Sequence, residues 1–350
     1  MHRVRHTGGR LAALLVAAAA LAACSSTSGT AGSTGAASGS ATGGSATAGG
    51  GTVRLGALYL DNQGFYGGIR KGIEDGAGTQ KIQLLAQNSG GDASKESQFM
   101  TTLIGAKVAA IIMSPVSDTA SVPVVKSAHA ANIPVVCYNT CLSDADSKAY
   151  VGALVTTDQT AFGRAVGDYA GDYFTKAGNK TPRIAILNCD AYQACRDRKA
   201  GFKAGLLAKV PGAQFVADQA GFQPDTAPKT ATDMLTGDPN IDAFYSTNDN
   251  GTIGALKGVQ ATNHIGKTVI FGSDISVPIA TAMKQFPKTL VATNAQDPQQ
   301  MGRVAVQQAL TLVNGGKVAQ FTTFIPAKVY SSDKPDEVQA WLDAHKDGIP

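Results

Sequence analysis

Residues 188–198 read NCDAYQACRDR, with two cysteines, two aspartates, a tyrosine and two arginines in eleven positions. Four chemistries use such residues. Cysteines with acidic neighbours can hold a metal, a thiolate beside arginines can attack an electrophile, and two thiols can form a redox pair. Arginine, aspartate and tyrosine can also line the rim of a ligand pocket. The choice depends on the compartment of the chain and on the place of the segment in the fold.

The first residues bear on the compartment. Arg3, Arg5 and Arg10 precede an apolar run, Leu11 to Leu21, too short to span a bilayer as a helix. Residues 1–23 are therefore expected to be a secretory signal peptide. The run ends in Leu-Ala-Ala-Cys, which resembles a bacterial lipoprotein signal. That resemblance implies lipid on Cys24 and an extracytoplasmic, lipid-anchored protein on the cell membrane. Residues 25–51 are all Ser, Thr, Gly or Ala. They cannot bury enough apolar surface to offset ordering, so 24–51 is expected to be a tether of roughly 30 Å root-mean-square span. Loss of the three leader arginines lowers the formal charge of +4 to +1. No basic stripe remains, which argues against a nucleic-acid partner.

Strands and helices must position these residues. Apolar runs at 53–60, 82–87, 108–114, 133–139, 149–155, 183–188, 213–220, 243–247, 268–273 and 290–295 read as buried strands. Helix-length segments lie between most of them, including 65–79, 94–106, 159–176, 196–208, 250–261 and 298–314. This alternation predicts an α/β fold with parallel sheets covered on both faces. Right-handed crossovers put the strands' C-terminal ends on one edge, where ligands bind in open α/β sheets. The residues just past the strands are Asp61, Gln63, Phe65 and Tyr66, then Ser114, Asn139, the 188–198 segment, Phe222, Asn248, Asp274 and Gln296. Asn and Asp also cap helices and aromatics also fill cores, so each alone is weak. Their recurrence at so many strand ends suits sugar recognition. Planar polar groups can bond neighbouring hydroxyls, and rings can pack on C–H faces.

At these positions the sequence resembles the type I periplasmic sugar-binding proteins, the ribose-binding-like group that feeds ABC importers. The matching segments are LYLDNQGFYGG, MSPVSD, AANIPVV, CRDRKAGF, FYSTNDNGTIGAL, FGSD and ATNAQDPQQMG, in the family's order, over about residues 52–330. The resemblance implies two similar Rossmann-like lobes joined by three crossovers near Val155–Asp158, Gln296 and Phe324–Pro326. The amphipathic spacing of Val338, Trp341 and Leu342 separately suggests a bracing helix at about Asp336–His345. The resemblance would make the lobes 52–155 plus 297–324, and 156–296 plus 325–350. It implies that Phe65, Tyr66, Arg198, Asn248, Asp274 and Gln296 contact ligand, and that Phe222 lies near another contact. Asn139-Thr140 stands where ribose binders have Asp-Arg, which puts ribose itself in doubt. The expected ligand is a monosaccharide or polyol, the expected partners are ABC permease subunits, and the protein is expected to be a monomer without cofactor. A receptor reading the closed form is the alternative partner.

Past residue 52 no Gly-x-Ser-x-Gly, Gly-x-Gly-x-x-Gly or P-loop occurs. His129, His264 and His345 are far apart, so neither an enzyme nor a metal site is expected. Four cysteines remain after Cys24, and an exported chain favours disulfides. Three pairings are open. The local one, Cys137 with Cys141 and Cys189 with Cys195, is expected because either crossed pairing would tie the two lobes together.

Overall fold

The computed structural model describes residues 52–350; the expected leader, Cys24 and the tether lie outside them. The chain begins with regular alternation: β1 (Arg54–Tyr59), α1 (Gly64–Thr79), β2 (Gln83–Asn88), α2 (Ala93–Gly105), β3 (Ala110–Met113), α3 (Val122–Ala130), β4 (Val135–Tyr138), α4 (Asp144–Tyr150) and β5 (Ala153–Thr156). A second series comes next: α5 (Gln159–Ala177), β6 (Arg183–Asn188), α6 (Gln193–Lys209), β7 (Gln214–Ala220), α7 (Ala227–Gly237), β8 (Ala243–Ser246), α8 (Asp249–Ala261), β9 (Val269–Phe271), α9 (Val277–Gln285) and β10 (Leu290–Ala295). The chain then adds α10 (Pro298–Val313), β11 (Thr322–Phe324), β12 (Lys328–Ser331) and α11 (Pro335–Ala344).

These strands form two six-stranded sheets, ordered β2-β1-β3-β4-β5-β11 and β7-β6-β8-β9-β10-β12. Each is the centre of an α/β lobe. In the first sheet Leu55 pairs with Leu84 on one side and Ala110 on the other. Five of the six β1 residues are buried, as expected of a strand covered on both faces. Ile69 and Ile73 of α1 and Met301 and Val306 of α10 fill one face, and Met100, Leu103 and Val125 fill the other. In the second lobe Phe202, Tyr245 and Phe271 pack with Phe174 on one face, while Phe244, Ile279 and Trp341 occupy the other. Each such side chain contributes roughly 1.5–3 kcal/mol when fully buried.

Two details depart from the sequence expectations. Residues 149–150 belong to a helix, because the Ser143 hydroxyl accepts from the Asp146 amide and starts α4 there. The second sheet is also not wholly parallel, since β12 runs antiparallel to β10. Only residues 325–327 separate β11 from β12. A connection so short leaves one sheet at its C-terminal edge and enters the other from the facing edge, so the new strand runs in reverse.

The chain passes between the sheets at 157–158, 296–297 and 325–327. A fourth contact comes from the C-terminal residues. Val338 and Trp341 of α11 are buried in the second lobe, while Gln299 Nε2, at the start of α10, donates to the Pro350 carbonyl at 3.5 Å. A Cβ placed on Gly68 of α1 would collide with that carbonyl oxygen. The absent side chain is what lets the tail lie against this helix.

Candidate functional site

Arg198 organises the second lobe's half of the site. It lies on α6, and two glycines bring that helix against α5. A Cβ on Gly163 would collide with the Arg198 carbonyl, and one on Gly201 with the Thr160 carbonyl. The resulting close approach sets the Arg198 guanidinium 4.5 Å from the Phe162 ring centre. Only 7% of Arg198 is exposed, so its charge must be matched locally. Its Nη1 donates to Asp274 Oδ2 at 2.7 Å and to the Thr247 carbonyl at 3.1 Å. Its Nε donates to Gln159 Oε1 at 2.7 Å.

Asp274 lies just past β9 with a positive φ of 64°. The Thr293 hydroxyl donates to its carbonyl and the Asn294 side-chain oxygen accepts from its amide, so its main chain is held on both sides. Its second carboxylate oxygen accepts from Gln296 Nε2 at 2.7 Å. Asn139 and Asp297 also adopt positive φ, 61° and 48°, and all three line one cavity. Such left-handed residues cost of order 1 kcal/mol and concentrate where function requires an unusual direction.

The first lobe supplies Phe65 and Tyr66 from the start of α1, their rings edge to face at 5.5 Å. Asn139 Nδ2 donates to the Tyr66 hydroxyl at 2.9 Å. Burial pushes the Tyr66 pKa up, against the lowering effect of hydrogen bonds with Asn139 and Ser114, so the hydroxyl keeps its proton at neutral pH. Ser114 is buried and shares a hydrogen bond with Thr140 at 2.9 Å, one layer behind the cavity wall.

Together these groups enclose about 560 Å³. Phe65, Tyr66, Asn139, Arg198, Asp274 and Gln296 all line it, as do Gln159 and Asp249. Other candidates stand apart. Asp61 and Gln63 are exposed on the loop before α1. Asn248 spends its side chain locally, accepting from the Gly251 amide to cap α8 and donating to the Phe222 carbonyl. Phe222 meets the exposed Tyr192 edge to face at 5.9 Å. Asp190 pairs with Lys199, which also reaches Asp218 at 3.0 Å.

Of the lining residues, Gln159 lies outside the strand-end pattern, whereas Asp249 stands with Asn248 just past β8. Gln159 begins α5 and carried no strand-end signal. Asp249 was visible beside Asn248, yet the cap geometry that turns the asparagine away leaves the aspartate on the cavity wall. Burial, then the charge of Asp274, raises the Asp249 pKa. The cysteine sulfurs meet in local pairs, Cys137 with Cys141 and Cys189 with Cys195, with Cα separations of 5.5 Å in both. Among the described residues no group of His, Cys, Asp and Glu is placed to hold a metal ion.

The arrangement offers donors and acceptors side by side, with an aromatic pair opposite. Those are the requirements for holding a polyhydroxylated solute. Residues 57–317 match the family described as Periplasmic binding protein domain. The chain is 37% identical over 302 residues to the ABC transporter periplasmic-binding protein YphF of Escherichia coli (strain K12), covering 85% of this chain and 90% of that one. Its fold is that of a periplasmic ribose ABC transporter structure from Conexibacter woesei DSM 14684. That match has TM-score 0.74 and 20% identity, and covers 83% of this chain and 95% of that one. A periplasmic solute binding protein from Actinobacillus succinogenes 130z with bound D-allose shares the fold at TM-score 0.71 and 22% identity, over 82% of this chain and 100% of that one.

Proposed function

This chain belongs to the periplasmic binding protein family, and from that premise we propose that it captures a monosaccharide or polyol between its lobes and delivers it to an ABC permease. Members are extracytoplasmic, non-enzymatic transport components of the type I, two-lobed class. The observation that most supports a sugar is one cavity with Arg198, Asp274 and Gln296 on one side and Phe65 and Tyr66 on the other. The relatives named for ribose and bound to allose point to the same ligand class.

The mechanism we propose uses the three passages at 157–158, 296–297 and 325–327 as hinges between lobes 52–155 plus 297–324 and 156–296 plus 325–350. A solute first docks on the polar half, where its hydroxyls bond Arg198, Asp274 and Gln296. Contacts with Phe65, Tyr66 and Asn139 are gained only as the lobes approach. That difference in affinity shifts the population towards closure. Asp61, Gln63, Phe222 and Asn248 would join the solute only in a more closed arrangement, with Ser114 acting through Thr140 and Tyr66.

We read the two cysteine pairs as disulfides that each stiffen one loop beside the cavity, lowering the ordering cost of binding. Lipid on Cys24 would hold the protein at the membrane outside the cell. No helix among the described residues is long and apolar enough to cross a bilayer. A thermal-shift screen against monosaccharides and polyols tests the reading, because a tight ligand raises the melting temperature by mass action. A sugar that stabilises the protein and is recovered unchanged supports it. A screen without any stabilising sugar, or a sugar turned over, overturns it.

A further inference from the structure

Four side chains on the cavity wall form a closed hydrogen-bonded ring. Arg198 Nε donates to Gln159 Oε1 at 2.7 Å, and Gln159 Nε2 donates to Gln296 Oε1 at 3.2 Å. Gln296 Nε2 donates to Asp274 Oδ1 at 2.7 Å, and Asp274 Oδ2 accepts from Arg198 Nη1 at 2.7 Å. The two ends of this ring cannot change roles. A guanidinium only donates and an ionised carboxylate only accepts.

The two amides between them could each be turned over, since their oxygen and nitrogen are similar in size. Only one combination satisfies the ring. Turning Gln159 alone would aim its NH₂ at the guanidinium and its oxygen at the oxygen of Gln296. Turning Gln296 alone would aim its oxygen at the carboxylate and its NH₂ at that of Gln159. Each clash leaves partly buried polar atoms unpaired or opposed. With Gln159 in place, the second hydrogen of Gln296 Nε2 is fixed as a donor group beside Asp274.

We infer that Gln159 is a positioning residue for the solute site: it carries the polarity of Arg198 across to Gln296 and, together with Asp274, determines that the solute meets an N–H there and not a carbonyl. This inference rests on the solute-binding reading above. The residue is well placed for the task. It is the first residue of α5, directly after the 157–158 passage, and the Asp158 carboxylate caps the same helix by accepting from the Ala161 amide at 2.9 Å. Phe162, one turn on, underlies Arg198. One helix start therefore holds the arginine from the side and from below. The solute then meets a fixed pattern: donors from the unused hydrogens of Arg198 and Gln296, and acceptors on Asp274. Two neighbouring hydroxyls, each able to donate and accept, match that pattern.

Calorimetric titration with D-ribose, D-allose and myo-inositol tests the inference, using the wild type, Gln159→Met, Gln159→Glu, Gln296→Met and the Gln159→Glu/Gln296→Met double variant. Gln159→Glu keeps the acceptor for Arg198 but loses the donor for Gln296. It is expected to bind about tenfold more weakly than wild type, although its contact with Arg198 is strengthened. Should Gln159→Met fail to fold, Gln159→Glu still carries the test. The double variant is expected to bind no more weakly than the weaker single one, because Gln159→Glu loses only the hydrogen bond to Gln296, which Gln296→Met also removes. Wild-type affinity in Gln159→Glu, or losses that multiply in the double variant, would overturn the role of Gln159 alone. A wild type that binds none of the three probes and is stabilised by no other monosaccharide or polyol would overturn the solute reading and this inference together.

Discussion

Arg198 Nη1 stands 2.7 Å from Asp274 Oδ2, joining helix α6 to the turn after β9. The arginine is nearly buried, and the carboxylate side chain keeps 27% of its exposure. A pair so placed presents opposite hydrogen-bonding characters to the cavity side by side. Arg198→Ala and Asp274→Ala are each expected to lower solute affinity by at least about tenfold. Unchanged calorimetric affinity in both variants would refute this placement of the site.

Asp249 adds a second carboxylate to the same wall, and burial followed by the charge of Asp274 raises its pKa. A raised carboxylate pKa means that the folded state prefers the protonated form, so this group's contribution is most favourable below the ordinary carboxylate range. The contribution is lost as pH rises through the raised value. Asp249→Asn is therefore expected to melt above the wild type at pH 7, with the gap narrowing as pH is lowered towards about 4. The same variant should bind solute more weakly, on the order of tenfold, if the carboxylate accepts from a solute hydroxyl. Equal melting temperatures at pH 7 would contradict the burial argument.

The tail on α1 makes Gly68 and Gly78 behave oppositely. A Cβ on Gly68 would collide with the Pro350 carbonyl and come within 2.7 Å of Pro298 Cγ, whereas one on Gly78 meets nothing within 4 Å. Gly68→Ala should destabilise the protein by about 1–3 kcal/mol. Gly78→Ala should stabilise it by about 0.5 kcal/mol, the usual gain for removing a helical glycine. Denaturant melts measure both, and a harmless Gly68→Ala would remove the tail from this helix.

The cysteine pairs make a separable prediction. Non-reducing peptide mapping should return 137–141 and 189–195 peptides, and reduction should cost about 2 kcal/mol of stability. A 137–189 or 141–195 peptide would tie the lobes together and sink the proposed hinge motion.

Much of the fold and site was legible in the residues because strands, turns and close helix contacts leave local marks. RIAILN and LVATNA read as strands and are strands, and the segments just past them contain Arg198 and Gln296. β11 and β12 are only three and four residues long and half exposed, too short to show a period. Gln159 carries no local mark at all. Its partners lie 39 and 137 residues away, so its role exists only once the two passages meet. The choice between Asn248 and Asp249 turned on helix phase. The sequence offered two polar neighbours, and the cap of α8 took one of them. The reversed β12 was hidden for a similar reason, since strand direction depends on where the chain enters a sheet and not on side-chain pattern.

Calorimetric titration of the wild type and Arg198→Ala with the sugar that most raises the melting temperature tests the central claim most directly. Saturable one-to-one binding by the wild type, weakened at least about tenfold in the variant, with the sugar recovered unaltered, is the predicted result. Wild-type affinity in Arg198→Ala, or conversion of the sugar during the titration, would contradict capture in this cavity.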